Sequence, residues 1–174
     1  GGVPYLPTGS FSFEFYINPR YGQHVPYSGD YHAGTIFHMS SSYAVSLVSG
    51  SDTDVNGYAS GFRLLLQLSS SADVPPSMVS TKDGVLTNAG AVLGDADYSL
   101  IFSSSDNSLK KNHWHYCCIR WSNDVQDSTG SFYIDGEEKG TFGIPGSKLD
   151  SDGSLQQTTW GAPLRPAPDA LFVG

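Results

Sequence analysis

Cysteine, positive charge and long apolar runs are all scarce in this chain. Only two cysteines occur among 174 residues, Cys117 and Cys118, and they are neighbours. On a strand, adjacent side chains point to opposite faces, so a bond between these two would be badly strained. A disulfide framework is therefore not expected; both read as free thiols, one of them packed in a core. Lys and Arg number nine against seventeen Asp and Glu, a net charge of −8, and the nine are thinly spread. That argues against a nucleic-acid partner, whose phosphates need clustered cations, and against an anionic membrane surface. No apolar run approaches a membrane span, and neither a signal-peptide pattern nor an Asn-x-Ser/Thr sequon is read. Unpaired thiols without sequons favour synthesis in a reducing cytosol.

Aromatics, Gly and Ser are plentiful, with Pro scattered throughout. Such a mix suits many strands joined by turns. Phe11-Ser12-Phe13-Glu14-Phe15-Tyr16-Ile17 alternates cleanly, with Phe11, Phe13, Phe15 and Ile17 on one face. Residues 34–39 and 43–49 predict two strands across Ser40-Ser41-Ser42. Residues 62–68 predict another, whose three consecutive leucines imply burial on both faces or a bulge. Pro75-Pro76 excludes a central strand there, while Val79 and Val85-Leu86 suit short edge strands. Strands are also expected at 98–103, 113–121, 131–135 and 139–142, with a turn over 104–112 and a loop-like tail from Leu149. Asp135-Gly136 predicts a tight hairpin. No stretch carries 3.6-residue amphipathicity. The pattern predicts an all-β, two-sheet antiparallel β-sandwich, as one domain over 1–174.

Five blocks in order resemble the concanavalin A-like, laminin-G-type lectin domains, a jelly-roll fold. They are Phe11 to Pro19, Gly34-Thr35-Ile36-Phe37, Trp114 to Trp121, Phe132-Tyr133-Ile134-Asp135-Gly136, and Leu171-Phe172-Val173-Gly174. In that family a last strand follows the fifth block, so the chain reads as a piece of a longer polypeptide. The runs Phe15 to Tyr21 and Ser40 to Val48 also resemble lectin-like segments of tailed-bacteriophage structural proteins. Both resemblances imply a module that binds or builds.

The residues with chemistry leave several readings open. Only three glutamates occur, Glu14, Glu137 and Glu138, and no Glu-x-Asp-x-x-Glu pattern exists, so a glycosidase carboxylate pair is not expected. His113 and His115, two apart, could hold zinc or copper, or could be surface histidines beside Trp114. Asp52, Asp54 and Asn56 have spacing that suits calcium, as do Asp95 and Asp97, and turn formation explains the same residues. No other cofactor is implied. Tyr21, Tyr27 and Tyr31, with Asp30 close by and Trp160 in a late loop, could form a sugar platform, a protein contact or ordinary loop packing. Cys117, Ile119 and Trp121 are expected in the core. Trp114, Tyr116, Cys118 and Arg120 are expected to face solvent or a partner. The expectation is a non-enzymatic, lectin-like structural or adhesion module of a virion: a capsid decoration, neck or tail fibre. Its partners would be other virion proteins, further copies of itself or host glycans, with no membrane insertion. The alternative is a carbohydrate-binding module of a secreted or cell-surface protein.

Overall fold

Residue alternation places the first strand as expected. In the computed structural model, which describes residues 9–20, 33–76, 79–82, 85–88, 100–124, 128–156 and 171–174, Phe11–Ile17 forms β1. Its odd residues are half-buried and its even ones exposed, as a strand with one face on a core requires. The other strands are β2 (Ala33–Met39), β3 (Tyr43–Ser49), β4 (Gly61–Leu68), β5 (Val79–Lys82), β6 (Val85–Asn88), β7 (Ile101–Ser103), β8 (Leu109–Lys110), β9 (His115–Trp121), β10 (Thr129–Ile134), β11 (Glu137–Gly143) and β12 (Leu171–Val173). Among the described residues there is no α-helix, only short 3-10 turns such as Ser69–Asp73.

Two antiparallel sheets pack face to face. One has the order β1-β9-β10-β11; the other has the order β12-β2-β3-β4-β7, with β8 also pairing along β4. β5 and β6 form a separate hairpin. The layout is a β-sandwich, compatible with a jelly-roll-like fold.

The layers meet through aromatic rings. Phe13 lies 4.8 Å from Tyr43 and 5.4 Å from Phe37, centroid to centroid, and so joins β1 to the opposite sheet. Cys117, Ile119 and Trp121 of β9 are buried in the same core with Phe132, Ile134, Leu64 and Leu66. Phe142 is stacked on Phe102 at 4.6 Å, and its ring occupies the space a side chain at Gly130 would need. The Asp135-Gly136 turn has left-handed backbone at both residues (φ 55° and 83°), the geometry of a two-residue type I′ hairpin.

Three expectations need correction. The 104–112 turn contains a short strand, β8, because buried Leu109 pairs with Phe62 at the end of β4. The strand expected at 98–103 begins at Ile101, after Leu100 in a 3-10 turn; residues 98 and 99 lie outside the described residues. His115 is buried, at 7% exposure, because it shares parity with Cys117 and Ile119; His113 is exposed.

The leucine run behaves as two-sided burial predicts. Leu64 and Leu66 point into the core, while Leu65 is 2% exposed on the opposite face. In register with β3, that outward face carries Ala44, Ser46 and Val48 opposite Gln67, Leu65 and Arg63. The central residues of the six-stranded sheet are therefore buried on both faces.

Candidate functional site

Strand parity gives the four-stranded sheet a well-defined outward face. Glu14 of β1, Cys118 of β9 and Tyr133 of β10 lie in register across it, and Tyr133 also pairs with Glu138 of β11. Tyr16 pairs with Tyr116, their rings 5.1 Å apart, and Tyr16 is 72% exposed. Trp114, just before β9, is 68% exposed. A tyrosine or tryptophan that presents its ring to water pairs apolar area with a polar tip, which suits contact with sugars and with proteins.

Polar pairs brace Tyr116 and Tyr133. The Tyr116 hydroxyl donates to Glu14 Oε2 at 2.7 Å, and the Ser12 hydroxyl donates to Oε1 at 3.1 Å. Tyr116 and then Ser12 hold the Glu14 carboxyl below its usual range. The same bond, with desolvation behind it, pushes the Tyr116 phenol up to about 12. At the other end, Arg120 Nη2 donates to the Tyr133 hydroxyl at 2.7 Å, and that hydroxyl donates to Glu138 Oε2 at 3.2 Å. Arg120, Tyr133, Glu138 and Asp124 border an open depression of about 470 Å³.

A second polar cluster belongs to the other sheet. Asp73 closes the 3-10 turn after β4 and reaches the β2–β3 hairpin. It accepts hydrogen bonds from His38 Nε2 (3.1 Å), Ser40 Oγ (2.6 Å), the Ser41 amide (2.9 Å) and Ser41 Oγ (2.6 Å). Burial raises the Asp73 carboxyl, but these four donors outweigh it and bring it down to about 2. The clamp holds the hairpin turn, where Ser41 has a left-handed φ of 54°, against the end of β4.

The sequence-based candidates have differing fates. Tyr21, Tyr27, Asp30, Tyr31 and Trp160 lie outside the described residues, as do Asp95 and Asp97. Asp52, Asp54 and Asn56 fall in one turn. Asp54 Oδ1 accepts the amides of Asn56 (2.9 Å) and Tyr58 (3.0 Å), and the Asp52 carbonyl accepts the Ser60 amide at 2.9 Å. Turn formation thus engages the Asp54 carboxylate and the Asp52 backbone. Both His115 nitrogens are committed: Nδ1 to Asp135 Oδ2 at 2.6 Å, Nε2 to the Lys110 amide at 2.9 Å. That network fixes a structural histidine that welds the β10–β11 turn to β9. Among the described residues, no group of three or more His, Cys, Asp or Glu side chains is placed to hold a metal ion. The outward set Trp114, Tyr116 and Arg120 appeared as a face in the sequence; its partners Glu14, Tyr133 and Glu138 follow only from register. Nothing in the spacing connects His38, Ser46, Gln67 and Asp73, which come from three strands and a turn.

No protein-family model, curated protein or solved structure matches this chain.

Proposed function

We propose that this chain is a non-catalytic, lectin-like adhesion and assembly module of a virion, with the outward face of the four-stranded sheet as its contact surface. One observation carries the binding role: two large rings, Tyr16 and Trp114, stand in water on a sheet face braced by paired polar groups. Scattered apolar residues are ordinary on a surface, but aromatic side chains of this exposure are enriched where proteins meet partners. The virion setting rests on the sequence resemblance of residues 15–21 and 40–48. A partner there is another virion protein or a further copy of the chain, with host glycans as ligands of the same aromatic surface.

The carboxylates support the non-catalytic reading. Glu14 and Glu138 share the face, but β9 and β10 separate their strands. Three inter-strand steps put their backbones about 14 Å apart. Each already accepts a hydrogen bond from a tyrosine.

Light scattering after size exclusion, together with a glycan array, tests the proposal on the wild type and on Tyr16→Ala/Trp114→Ala. The wild type is expected to self-associate or to bind a glycan set, and the double variant to lose most of that signal at an unchanged Tm. A monomer silent on the array, or a double variant that binds as the wild type does, sinks the proposed surface.

A further inference from the structure

We propose that a recess on the outward side of the six-stranded sheet binds a small, neutral, hydroxyl-bearing molecule through Ser46 and Gln67. The recess measures about 270 Å³ and is lined by these two residues with His38, Asp73 and the apolar Ala44 and Val74. That is roughly nine water volumes, and slightly below the range of about 300–1,000 Å³ that drug-sized ligands fill. It suits one small ring or a short polyol.

The lining has a specific deficit. Ser46 Oγ and Gln67 Oε1 are buried and have no hydrogen-bond partner among the described residues, and both residues are 0% exposed. They are diagonal neighbours on one face, because Ser46 pairs with Leu65 and Gln67 with Ala44. The Gln67 amide cannot turn over to escape. Its Nε2 donates to the carbonyls of Ser71 (2.6 Å) and Val74 (2.9 Å), and a flip would set its oxygen against both. Oε1 is thus fixed as an acceptor in need of a donor. A buried polar atom left without a partner is destabilising, so two on one wall call for something that hydrogen-bonds to both.

Charge narrows the chemistry. An anion would meet the Asp73 carboxylate and the Gln67 oxygen, both electron-rich. An ammonium would need carboxylate lone pairs, and four donors already occupy Asp73. A hydroxyl both donates and accepts. Solvent does not reach either atom, so the recess wall has to yield slightly on binding; one hydroxyl of a vicinal diol then satisfies Gln67 Oε1, its neighbour exchanges a hydrogen bond with Ser46 Oγ, and the ligand's C–H face lies on Val74 and Ala44. This site is on the opposite sheet from the Tyr16 surface and does not depend on it.

Saturation-transfer NMR and calorimetry on the full chain test the assignment. The probes are glycerol, myo-inositol, glucose, galactose and N-acetylglucosamine, with the methyl glycosides of the three sugars. At least one is expected to bind. Ser46→Ala should weaken it about tenfold, the worth of one hydrogen bond, while the Tm holds or rises because a buried orphan is gone. Ala44→Leu, which fills the recess from its wall, should abolish binding, and Tyr16→Ala should leave it intact. Equal binding of a sugar and its methyl glycoside would identify a glycan end as the source, and loss on methylation would identify a free sugar. Failure of every probe, binding that survives both recess variants, or a crystal structure at saturating polyol with only ordered water on Ser46 and Gln67 would overturn the proposal.

Discussion

The two sheets treat their outward faces in opposite ways. On the four-stranded sheet the outward residues Glu14, Tyr16 and Arg120 meet water. On the six-stranded sheet their counterparts Ala44, Ser46, Val48, Leu65 and Gln67 are 0–3% exposed. One sheet has a single buried face and reads as alternation; the other is covered on both faces and reads as a near-continuous apolar run. The lesson is that outward does not mean exposed in this molecule. Polar groups on the open face can fall back on water for hydrogen bonds. Polar groups on the covered face cannot, so a missing partner there carries information.

Truncation on the covered face should have the largest effect. Leu65→Ala is expected to lower the unfolding free energy by about 2–5 kcal/mol, as buried leucines do, measured by urea denaturation. A loss below about 1 kcal/mol would mean that this face is not sealed, and the contrast between the sheets would fail.

Acid should expose the next difference. Asp73 is held at about 2 against an ordinary 3.8. A carboxylate whose folded value is depressed gives stability that is complete above its unfolded value and lost as pH falls through the folded one. Wild-type stability should therefore drop between about pH 4 and pH 2, by no more than about 2 kcal/mol from this group. Asp73→Asn should be weaker at neutral pH and flatter across that window. Equal acid slopes in the two proteins would show that the clamp contributes nothing.

The smallest effect belongs to the open face. Tyr116 stands at about 12 chiefly because its hydroxyl donates a hydrogen bond to the Glu14 carboxylate. Glu14→Gln should bring its ionisation back toward pH 10 in a spectrophotometric titration, with the Tm unchanged. A Tm loss comparable to that of Leu65→Ala would erase the distinction between the two faces.

Much of the fold was legible because its strands carry local signals. The period-two pattern of Phe11–Ile17, the parity of Cys117, Ile119 and Trp121, the Leu64-Leu65-Leu66 run and the Asp135-Gly136 turn each state their own environment. β8 was not legible, because two residues cannot show a period; Leu109 is apolar, yet only its pairing with Phe62 makes a strand of it. The recess was hidden for a different reason. Ser46 and Gln67 become neighbours through the β3–β4 register, and Asp73 reaches His38 only after the chain turns back over the hairpin. Serines at 40–42 and 69–71 look like generic linkers until the Asp73 carboxylate gathers Ser40 and Ser41. The surface tyrosines were half legible: their side of β9 could be read, but the carboxylates that brace them could not.

The adjacent cysteines leave the chain with a built-in reporter. Burial pushes the Cys117 thiol up to about 12, which keeps it chemically silent. Cys118, one residue on, points the other way, half-buried between Glu14 and Tyr133. A maleimide dye or spin label added to the unmodified protein will thus attach at one position, among the tyrosines, where its signal can register the arrival of a partner.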